Sequence, residues 1–516
     1  MSRRNLIPLA VAALGAAIYL VVAPPSADLA AQEFRADLGL VLWNNGWYAG
    51  HHTPGYSLLF PPLGGALGVR VVGALAAIAA AALFTALARR HWSDEHGATA
   101  AALWFAAGTT AVLLTGRLTF LLGVAIGVGA LLALAYDRRL TAVALAALTT
   151  LAGPVAGLFV ALGVVAWALA DRRERGLTGA AVVTAALAPT VVTLVLFAQG
   201  GSEPFVASAF WPALAGALLV AALLPTAERT LRIAALLYAV ALLTAFVIQT
   251  PLGGNASRLG ALAAGPVVLG ALAGRRGTLA LVALALPLAY WPLYPAVRDV
   301  VRASGDPSLR AGYHAPLIDY LRSRPGQGAF RVEIPFTENH WEARHVAGGR
   351  DPIAIARGWE RQLDRRYGEL FYDGSLDAAS YRAWLDERAV AYVAVPDVAL
   401  DYAGRDEAAL IDAGLPYLRE VWRNEHWRVY AVSRPAPLAA GAGAGAGATL
   451  DDKDTFTVRA RRAGDVIVRV HHTRWWRVTG GRACVSAAPG EQTRVRIFRP
   501  GTVRIQARLT GSSCRR

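Results

Sequence analysis

The chain has 516 residues, of which 55% are hydrophobic, and its mean hydropathy is +0.39. This composition is too apolar for a wholly soluble protein, because residues 1–295 consist mostly of long Ala, Leu and Val runs. The formal charge of +15 is nearly all arginine, much of it beside apolar runs. Membrane topology explains that pattern better than nucleic-acid binding does, so nucleic acid is not an expected partner.

The first apolar run, 6–22, follows Arg3 and Arg4 and leads into further apolar runs, which predicts an uncleaved first helix with a cytoplasmic N-terminus. The later runs bring the total to about eleven crossings of a bacterial plasma membrane. Residues 140–170 lie between two arginine clusters and are broken at Gly153-Pro154, which predicts two short helices hinged there. An odd number of crossings places the C-terminal part of the chain outside the cytoplasm.

The segment between the first two apolar runs, 24–62, has the highest density of ionisable groups next to runs that are long enough to span a membrane. Its three carboxylates are the candidate catalytic residues: Asp28, Glu33 and Asp37. A helix on the membrane surface is predicted over 29–39 from three apolar residues spaced four apart: Ala30, Phe34 and Leu38. The alternative is that Asp28 only caps this helix and that the other two carboxylates are solvated.

Aromatic and histidine side chains follow in the same segment. Six of them are candidate substrate contacts: Trp43, Trp47, Tyr48, His51, His52 and Tyr56. The rings suit a stacking platform for a sugar, and they equally suit an aromatic belt at the membrane interface. His51 and His52 with Asp28 are weak candidates for a metal site, since adjacent histidines diverge in most backbones.

Two arginines stand in short loops that are predicted to lie outside. Arg117 occupies a minimal turn between two apolar runs, and Arg258 follows a Gly-Gly-Asn-Ala-Ser segment. Arginine is disfavoured in short external loops, so both side chains call for another role. A guanidinium at the outer surface suits the phosphate of a lipid-linked donor, and the alternative is contact with lipid headgroups.

The rest of the chain has ordinary soluble composition. Alternating runs at 331–334 and 390–395 with helical patterns predict an α/β domain over 296–433. A flexible Ala/Gly linker is expected over 434–449, and the strong alternation that follows predicts a β-sandwich over 450–516. Six residues of the α/β domain are candidate acceptor contacts: Glu338, His340, Trp341, Arg357, Trp359 and Glu360.

The C-terminal sandwich carries two further candidate features. Cys484 and Cys514 lie near the C-terminus, which predicts a disulfide if that end faces an oxidising compartment. Trp475 and Trp476, with His471 and His472, suggest a carbohydrate-binding platform, and the alternative is that the tryptophans belong to the core. Strand alternation predicts that one of the two adjacent tryptophans is buried and the other exposed, so both interpretations can hold.

With these features the sequence resembles the GT-C superfamily of membrane glycosyltransferases. The resemblance rests on the uncleaved first helix, the acidic outer loop and the Phe60-Pro61-Pro62-Leu63 run at the second span. The Arg/Ala/Gly-rich composition is similar in outline to actinobacterial cell-envelope arabinofuranosyl- and mannosyltransferases. In that family the first outer loop supplies a catalytic aspartate, commonly within an acidic pair, whereas here Leu29 follows Asp28.

The resemblance implies a polytopic helical membrane domain and an inverting transfer of a hexosyl or pentosyl group. The donor is then a polyprenyl-phosphate sugar, and the acceptor is an envelope glycan or glycolipid. Asp28 acts as the base, while Arg117 and Arg258, assisted by a divalent cation (Mg, Mn or Ca), neutralise the leaving phosphate. Two other classes stay open: a catalytically silent envelope protein that binds a glycan or a partner, and a transporter of a lipid-linked substrate.

Overall fold

The structure, a computed structural model, describes these residues: 3–273, 278–326, 328–349, 351–441 and 445–515, with the backbone alone for 3–5 and 278–285. The chain divides into two compact units. The first consists of Met1–Ala36 and Gly55–Ser304, and the second consists of Asp37–Pro54 and Gly305–Arg516. The loop 37–54 therefore belongs with the C-terminal residues and not with the predicted membrane domain.

The first unit is helical throughout its described residues. Its α-helices are α1 Arg3–Val22, α2 Ala27–Leu38, α3 Phe60–Leu67, α4 Val69–His91, α5 Glu95–Leu114, α6 Leu118–Ala135, α7 Arg139–Ala152, α8 Pro154–Ala170, α9 Arg172–Leu196, α10 Ala207–Leu223, α11 Arg229–Val247, α12 Arg258–Leu272 and α13 Thr278–Ala303. A short 3-10 helix, Gly253–Ser257, precedes α12. Ala and Leu favour these helices because they lose little conformational entropy in them.

Helices α6 and α8 approach each other closely at two glycines. A Cβ added at Gly123 would lie 2.7 Å from the Cβ of Ala156, and one added at Gly127 would lie 2.7 Å from Cγ2 of Val160. In a membrane the hydrophobic effect does not drive helices together, so close packing at small residues supplies the attraction between them. Helix α8 begins at Pro154, directly after Gly153, so the predicted hinge between two short helices is confirmed.

Among the described residues, five helices are long and apolar enough to cross a membrane by length and composition: α4, α5, α6, α9 and α11. A sixth candidate is the pair formed by Leu6–Val22 and α2, which is bent by 80°. Helices α7, α8 and α10 are apolar but have only 14, 17 and 17 residues, against the roughly 20 that a crossing needs. The first unit is that of a multi-pass membrane protein, while the count of about eleven crossings is not confirmed.

The second unit begins with a hairpin in the loop 37–54, formed by β1 Trp43–Asn44 and β2 His51–His52. A four-stranded sheet follows, with the order β3-β4-β6-β5 and one parallel pair, β3 with β4. Its strands are β3 Arg331–Glu333, β4 Val390–Pro396, β5 Leu418–Arg423 and β6 Trp427–Val432. The helices among them are α14 Ala311–Arg322, α15 Glu342–His345, α16 Arg361–Tyr367, α17 Ala378–Glu387 and α18 Tyr402–Asp412. This agrees with the expected mixture of helix and strand.

The last part of the second unit is the expected pair of β-sheets. Its strands are β7 Ala439–Gly441, β8 Gly447–Asp452, β9 Thr455–Ala460, β10 Gly464–His471, β11 Trp476–Gly480, β12 Ala483–Ala487, β13 Gln492–Ile497, β14 Gly501–Ala507 and β15 Cys514–Arg515. One sheet has the order β15-β12-β13-β10-β7 and the other has the order β11-β14-β9-β8. Inward-pointing residues of both sheets share one core, among them Phe456, Val468 and Ile505.

The expected linker over 434–449 contains two strand segments, β7 and the start of β8. Gly441 pairs with Val466 of β10, and a Cβ there would lie 2.6 Å from the carbonyl oxygen of Asp465. The small side chains therefore fit an edge strand, although residues 442–444 lie outside the described residues. Cys484 and Cys514 form the expected disulfide, which ties β15 to β12.

Candidate functional site at the start of helix α2

Asp28 lies in the first turn of α2, which begins at Ala27 after Pro24 and Pro25 separate it from α1. It is thus inside the helix and not at the N-cap. Its carboxylate pairs with Arg117, whose Nε lies 3.2 Å from Oδ2 of Asp28. The two side chains keep 34% and 27% of their surface exposed. The structure therefore brings together the acid and one of the two arginines singled out by the sequence.

A buried glutamine holds the turn that carries Arg117. Oε1 of Gln32 accepts hydrogen bonds from the backbone N–H groups of Leu118 at 3.1 Å and Thr119 at 3.0 Å. Its Nε2 donates to the carbonyl oxygen of Gly116. The first N–H groups of a helix lack partners within the helix, so Gln32 satisfies the start of α6 from outside. One amide thereby fixes the residues on both sides of Arg117.

Gly116 makes this close approach of the turn to α2 possible. Its φ of +68° lies in the left-handed region that favours glycine. An added Cβ would also collide with Oγ of Ser26 and would lie 3.0 Å from the backbone nitrogen of Leu29. The turn can therefore reach the first turn of α2 only with glycine at this position.

Arg258, the second predicted phosphate ligand, is the first residue of α12. Tyr238 fixes this helix start, because its hydroxyl donates to the carbonyl oxygen of Ala256 at 2.9 Å and accepts from the N–H of Gly260 at 3.0 Å. The Arg258 guanidinium lies 5.6 Å from the centre of the Phe120 ring. The side chain is thus anchored at a helix start and supported by an aromatic ring.

Arg117 and Arg258 line the same narrow cleft, whose volume is about 30 Å³. Its other walls are mainly apolar and include Phe120 and Trp291. Arg258 interacts electrostatically with both Arg117 and Asp28. The cleft therefore places two guanidinium groups beside an apolar wall.

Two more side chains complete this charge cluster. The Arg35 guanidinium lies 3.9 Å from the centre of the Tyr56 ring. Tyr56 in turn interacts with Asp28 and Arg258 and hydrogen-bonds with Thr119. Burial is the largest cause that raises the pKa of Tyr56 above its ordinary value of 10.0; Arg35 opposes this shift and Asp28 adds to it. The phenol is therefore protonated at neutral pH.

Gln32 and Arg35 were not predicted from the sequence, although a signal for them exists. Positions 28, 32 and 35 are spaced i, i+4 and i+7, which places them on one face of a helix. The apolar residues along 29–39 predict the helix, but they do not indicate its polar face. A helical-spacing test applied to polar residues finds both.

The other two candidate carboxylates do not join Asp28. Oε1 of Glu33 lies 3.9 Å from Nε of Arg70. Asp37 belongs to the second unit, where its Oδ2 lies 2.8 Å from Nη2 of Arg344. Residues five positions apart on a helix point about 140° apart, which explains why Glu33 and Asp28 face different partners. Glu33 and Asp37 thus each pair with an arginine other than Arg117.

Five predicted substrate contacts belong to the second unit: Trp43, Trp47, Tyr48, His51 and His52. The first four are at most 2% exposed. Nε1 of Trp47 donates to the carbonyl oxygen of Ala343 at 3.2 Å, and the hydroxyl of Tyr48 accepts from the N–H of Glu360 at 3.0 Å. Rings enclosed in this way offer no face to a sugar, so the expected stacking platform in this loop is wrong.

The two histidines use their ring nitrogens within this fold. In His51, Nε2 lies 3.0 Å from Nδ2 of Asn44 and Nδ1 lies 2.9 Å from the carbonyl oxygen of His52. Nε2 of His52 hydrogen-bonds with Oγ1 of Thr473 at 2.8 Å. Asp28 belongs to the other unit. Within the part of the chain that the structure describes, no three His, Cys, Asp or Glu residues group to hold a metal ion, so these residues do not fit a resident divalent cation.

The predicted acceptor contacts of the second unit are partly core residues. Trp341 is 5% exposed and His340 is 1% exposed. The His340 ring stacks on Trp359, with the ring centres 3.4 Å apart, and the Arg361 guanidinium lies 4.9 Å from the centre of the same tryptophan ring. Burial lowers the pKa of His340. Trp359 and Glu338 are half-buried, so they keep some surface that an acceptor can reach.

No protein-family model matches the sequence, and no curated protein matches it. Among solved structures, the chain is similar to the Archaeoglobus fulgidus oligosaccharyltransferase tethered with an acceptor peptide. That match has 13% identity and a TM-score of 0.45 and covers 76% of this chain and 69% of the other. The apo form of the same protein matches with 17% identity and a TM-score of 0.37, over 76% and 69% of the two chains.

The chain is also similar to ArnT from Cupriavidus metallidurans bound to undecaprenyl phosphate. This match has 14% identity and a TM-score of 0.44 and covers 84% of this chain and 98% of the other.

Proposed function

We propose that this chain is a GT-C type inverting glycosyltransferase that moves a hexosyl or pentosyl group from a polyprenyl-phosphate donor to an envelope glycan or glycolipid. One observation carries the proposal: Asp28 pairs with Arg117 beside a cleft that Arg117 and Arg258 line together. A base and two cations for a leaving phosphate are the groups that sugar transfer from a lipid phosphate needs. The apolar walls of the cleft suit the lipid to which that phosphate is attached.

The pairing of Asp28 with Arg117 supplies the order of events. A donor phosphate in the cleft competes with the carboxylate for Arg117, because guanidinium groups bind phosphate oxygens in the same bidentate way. Once Arg117 turns to the phosphate, Asp28 accepts the proton of the acceptor hydroxyl while that oxygen attacks the anomeric carbon. The bond from this carbon to the phosphate oxygen breaks, the configuration inverts, and Arg117 and Arg258 stabilise the departing phosphate.

Helix directions support an outward-facing site. Helices α4 and α6 run parallel: a Cβ at Gly73 would lie 2.8 Å from Cδ2 of Leu118, and one at Gly129 would lie 3.7 Å from Cδ1 of Leu83. Basic residues follow the ends of both helices, Arg89-Arg90-His91 on α4 and Arg138-Arg139 after α6. Under the positive-inside rule that end is cytoplasmic, and Asp28 with Arg117 faces the opposite side of the bacterial plasma membrane. The C-terminal residues are then extracytoplasmic as well.

Asp28→Asn tests the base directly. In a transfer assay with a polyprenyl-phosphate sugar and an envelope-glycan acceptor, we expect the rate to fall at least about 100-fold, because the amide cannot accept the proton. Asp171→Asn is the matched control. Asp171 caps α9 by accepting from the N–H of Glu174 at 3.5 Å, and asparagine is an equally good cap, so transfer should not change. Unchanged transfer in Asp28→Asn would remove this residue from the mechanism.

A catalytically silent binding protein is the second candidate, and one observation favours it. Leu29, which stands where relatives of the family commonly carry a second acid, is fully buried, so Asp28 acts without an acidic neighbour in sequence. Such a protein binds polyprenyl phosphate through Arg117 and Arg258 but transfers no sugar. Tight binding of polyprenyl phosphate by the wild type, without transfer from any donor offered, would favour this candidate. A transporter is disfavoured, because Asp28, Arg117 and Arg258 all stand at helix starts and not in mid-helix.

A further inference from the structure

The β-sandwich carries most of the net charge of the chain. Residues 451–516 contain fifteen Arg or Lys and five Asp or Glu residues, a net charge of +10, against +15 for the whole chain. Membrane topology does not account for this excess, because these residues belong to the second unit. The excess positive charge of residues 451–516 therefore needs an explanation other than membrane topology.

Strand alternation brings several of these arginines to one face of the sheet β11-β14-β9-β8. Along β14, Val503 and Ile505 are buried and Arg504 between them is exposed. Arg459 on β9 is exposed between buried neighbours, and Arg477 on β11 lies between the buried Trp476 and Val478. The outward side of this sheet is thus basic on three adjacent strands.

The strand register arranges these arginines on a diagonal. Arg477 pairs with Gln506, which is two residues from Arg504 on the same face of β14. Thr502, two residues from Arg504 in the other direction, pairs with Arg459. With strands about 4.8 Å apart and a rise of about 3.4 Å per residue, successive arginine Cα atoms along the diagonal are about 8 Å apart. Polar side chains, and not apolar ones, occupy the positions between them.

An aromatic ring stands at one end of the diagonal. The guanidinium groups of Arg474 and Arg477 lie 4.8 Å and 5.9 Å from the centre of the half-buried Trp475 ring. The N–H of Arg508 donates to the carbonyl oxygen of Trp475 at 2.9 Å, which places Arg508 beside it. Trp476 is 1% exposed and packs in the core, while Trp475 is half-buried, as strand alternation predicts for two adjacent tryptophans.

The acidic residues nearest to this face already have partners. Asp465 pairs with Arg496 on the other sheet at 2.8 Å, and Glu491 pairs with an arginine of α16. Asp454 accepts hydrogen bonds from Gln506 at the β9 side of the face. Asp451 accepts from Thr457 on the same side. Among the described residues, none of the four arginines of this face, Arg459, Arg477, Arg504 and Arg508, forms a salt bridge, while Asp454 lies at the β9 edge through its contact with Gln506.

We propose that this arginine face (Arg459, Arg477, Arg504 and Arg508 with Trp475) binds an acidic polysaccharide whose repeating units carry carboxylate or phosphate groups. Guanidinium groups at regular spacing match a polymer with repeated anions, and each can bind one bidentately. A lipid surface would call for apolar side chains between the charges, whereas Gln506 and Thr502 occupy those positions. The inference does not depend on sugar transfer at Asp28.

The test uses the full-length protein in nanodiscs of zwitterionic lipid, titrated with polygalacturonate, poly(glycerol phosphate) and neutral dextran. We expect binding to the two anionic polymers and none to dextran. Replacing Arg477, Arg504 and Arg508 together by glutamine should weaken this binding at least about tenfold. The matched variant carries Arg482→Gln, Arg494→Gln and Arg499→Gln; it removes the same charge from the other sheet and its turns, and should weaken binding less than about threefold.

Three results would overturn the inference, provided that both triple variants keep the wild-type melting temperature. Equal weakening in the two variants would mean that the polymers respond to net charge alone. Tighter binding of duplex DNA than of either polymer would mark an unspecific polyanion surface. Binding to vesicles of phosphatidylglycerol and phosphatidylcholine, without binding to either polymer, would assign the face to a lipid surface instead.

Discussion

In the first unit, Asp28 and Arg117 meet at the edge of a cleft and each keeps more than a quarter of its side chain exposed. The second unit also holds an arginine among carboxylates, but encloses it completely. Arg357 is 1% exposed, and its Nη2 and Nη1 lie 2.7 Å from Asp364 and 3.1 Å from Glu407. An exposed pair can exchange partners with a ligand, whereas an enclosed cluster can only hold its fold together.

The contacts of Arg357 are those of a buried structural network. The Arg357 guanidinium lies 3.9 Å from the centre of the Phe336 ring and 4.0 Å from that of Phe371. Burial raises the pKa of Glu333 well above its usual range, and the neighbouring Glu407 raises it further. This shift favours the neutral form of Glu333, which reduces the buried negative charge around Arg357.

Arg357→Met should give the largest effect on stability. It leaves Asp364 and Glu407 buried without their cation, which costs about 3–5 kcal/mol of the free energy of unfolding. Denaturant unfolding followed by tryptophan fluorescence measures this loss. Arg382→Met is the control. Arg382 pairs with Asp386 at 2.8 Å on a partly exposed helix face and donates to the carbonyl oxygens of Ser433 and Arg434, so the cost should be about 1 kcal/mol. Similar losses in both variants would contradict the comparison.

Arg117→Gln should reverse this pattern by affecting catalysis and not stability. We expect sugar transfer to fall about 100-fold, because a cation for the leaving phosphate is lost. The melting temperature should stay within a few degrees of the wild type, since partly exposed pairs contribute about 1 kcal/mol or less. A drop in stability as large as that of Arg357→Met, with transfer intact, would show that both units use their charges in the same way.

Gln32→Ala sharpens the comparison at the residue that positions Arg117. We expect transfer to fall about tenfold, mainly as a raised KM for the donor, because the turn that carries the guanidinium loosens. In the double variant with Arg117→Gln the two effects should not add, since Gln32 acts through Arg117. Fully additive effects would assign Gln32 a role apart from Arg117.

Glu342 offers the smallest effect and the clearest pH dependence. Burial raises the pKa of this carboxyl to about 8 from an ordinary 4.5, and hydrogen bonds from Thr337 oppose the shift. Between these two pH values the folded chain holds a proton that the unfolded chain releases, so stability falls as pH rises. Between pH 6 and pH 7 the free energy of unfolding should fall by about 1 kcal/mol. Glu342→Gln should remove this slope, and an unchanged slope would contradict the assignment.

The sequence predicted the features that depend on local pattern and on membrane context. The hinge at Gly153-Pro154 follows from backbone chemistry. Asp28 and Arg117 stood out because charged groups beside apolar helices need a reason to be there. For the same reason the approach of Arg258 to this pair could be inferred, although no sequence pattern specified the cleft.

The loop 37–54 was misjudged because distant residues decide its environment. The Trp43 ring lies 5.4 Å from that of Trp476, and Trp47 bonds to Ala343. Nothing in the composition of the loop reveals partners several hundred positions away. Aromatic residues between two apolar runs therefore suggested a membrane belt or a sugar platform, when tertiary packing had already covered them.

The bridge between Cys484 and Cys514 has a practical consequence, because the sequence contains two cysteines and both are in it. Thiol chemistry on the unmodified protein thus reports the redox history of its last strands without any engineered label. Alkylation during denaturing lysis of the cells should leave both sulfurs unmodified until a reductant is added, if the chain matured in an oxidising compartment. Two reactive thiols in the untreated sample would place this end of the molecule in the cytoplasm and turn the whole topology around.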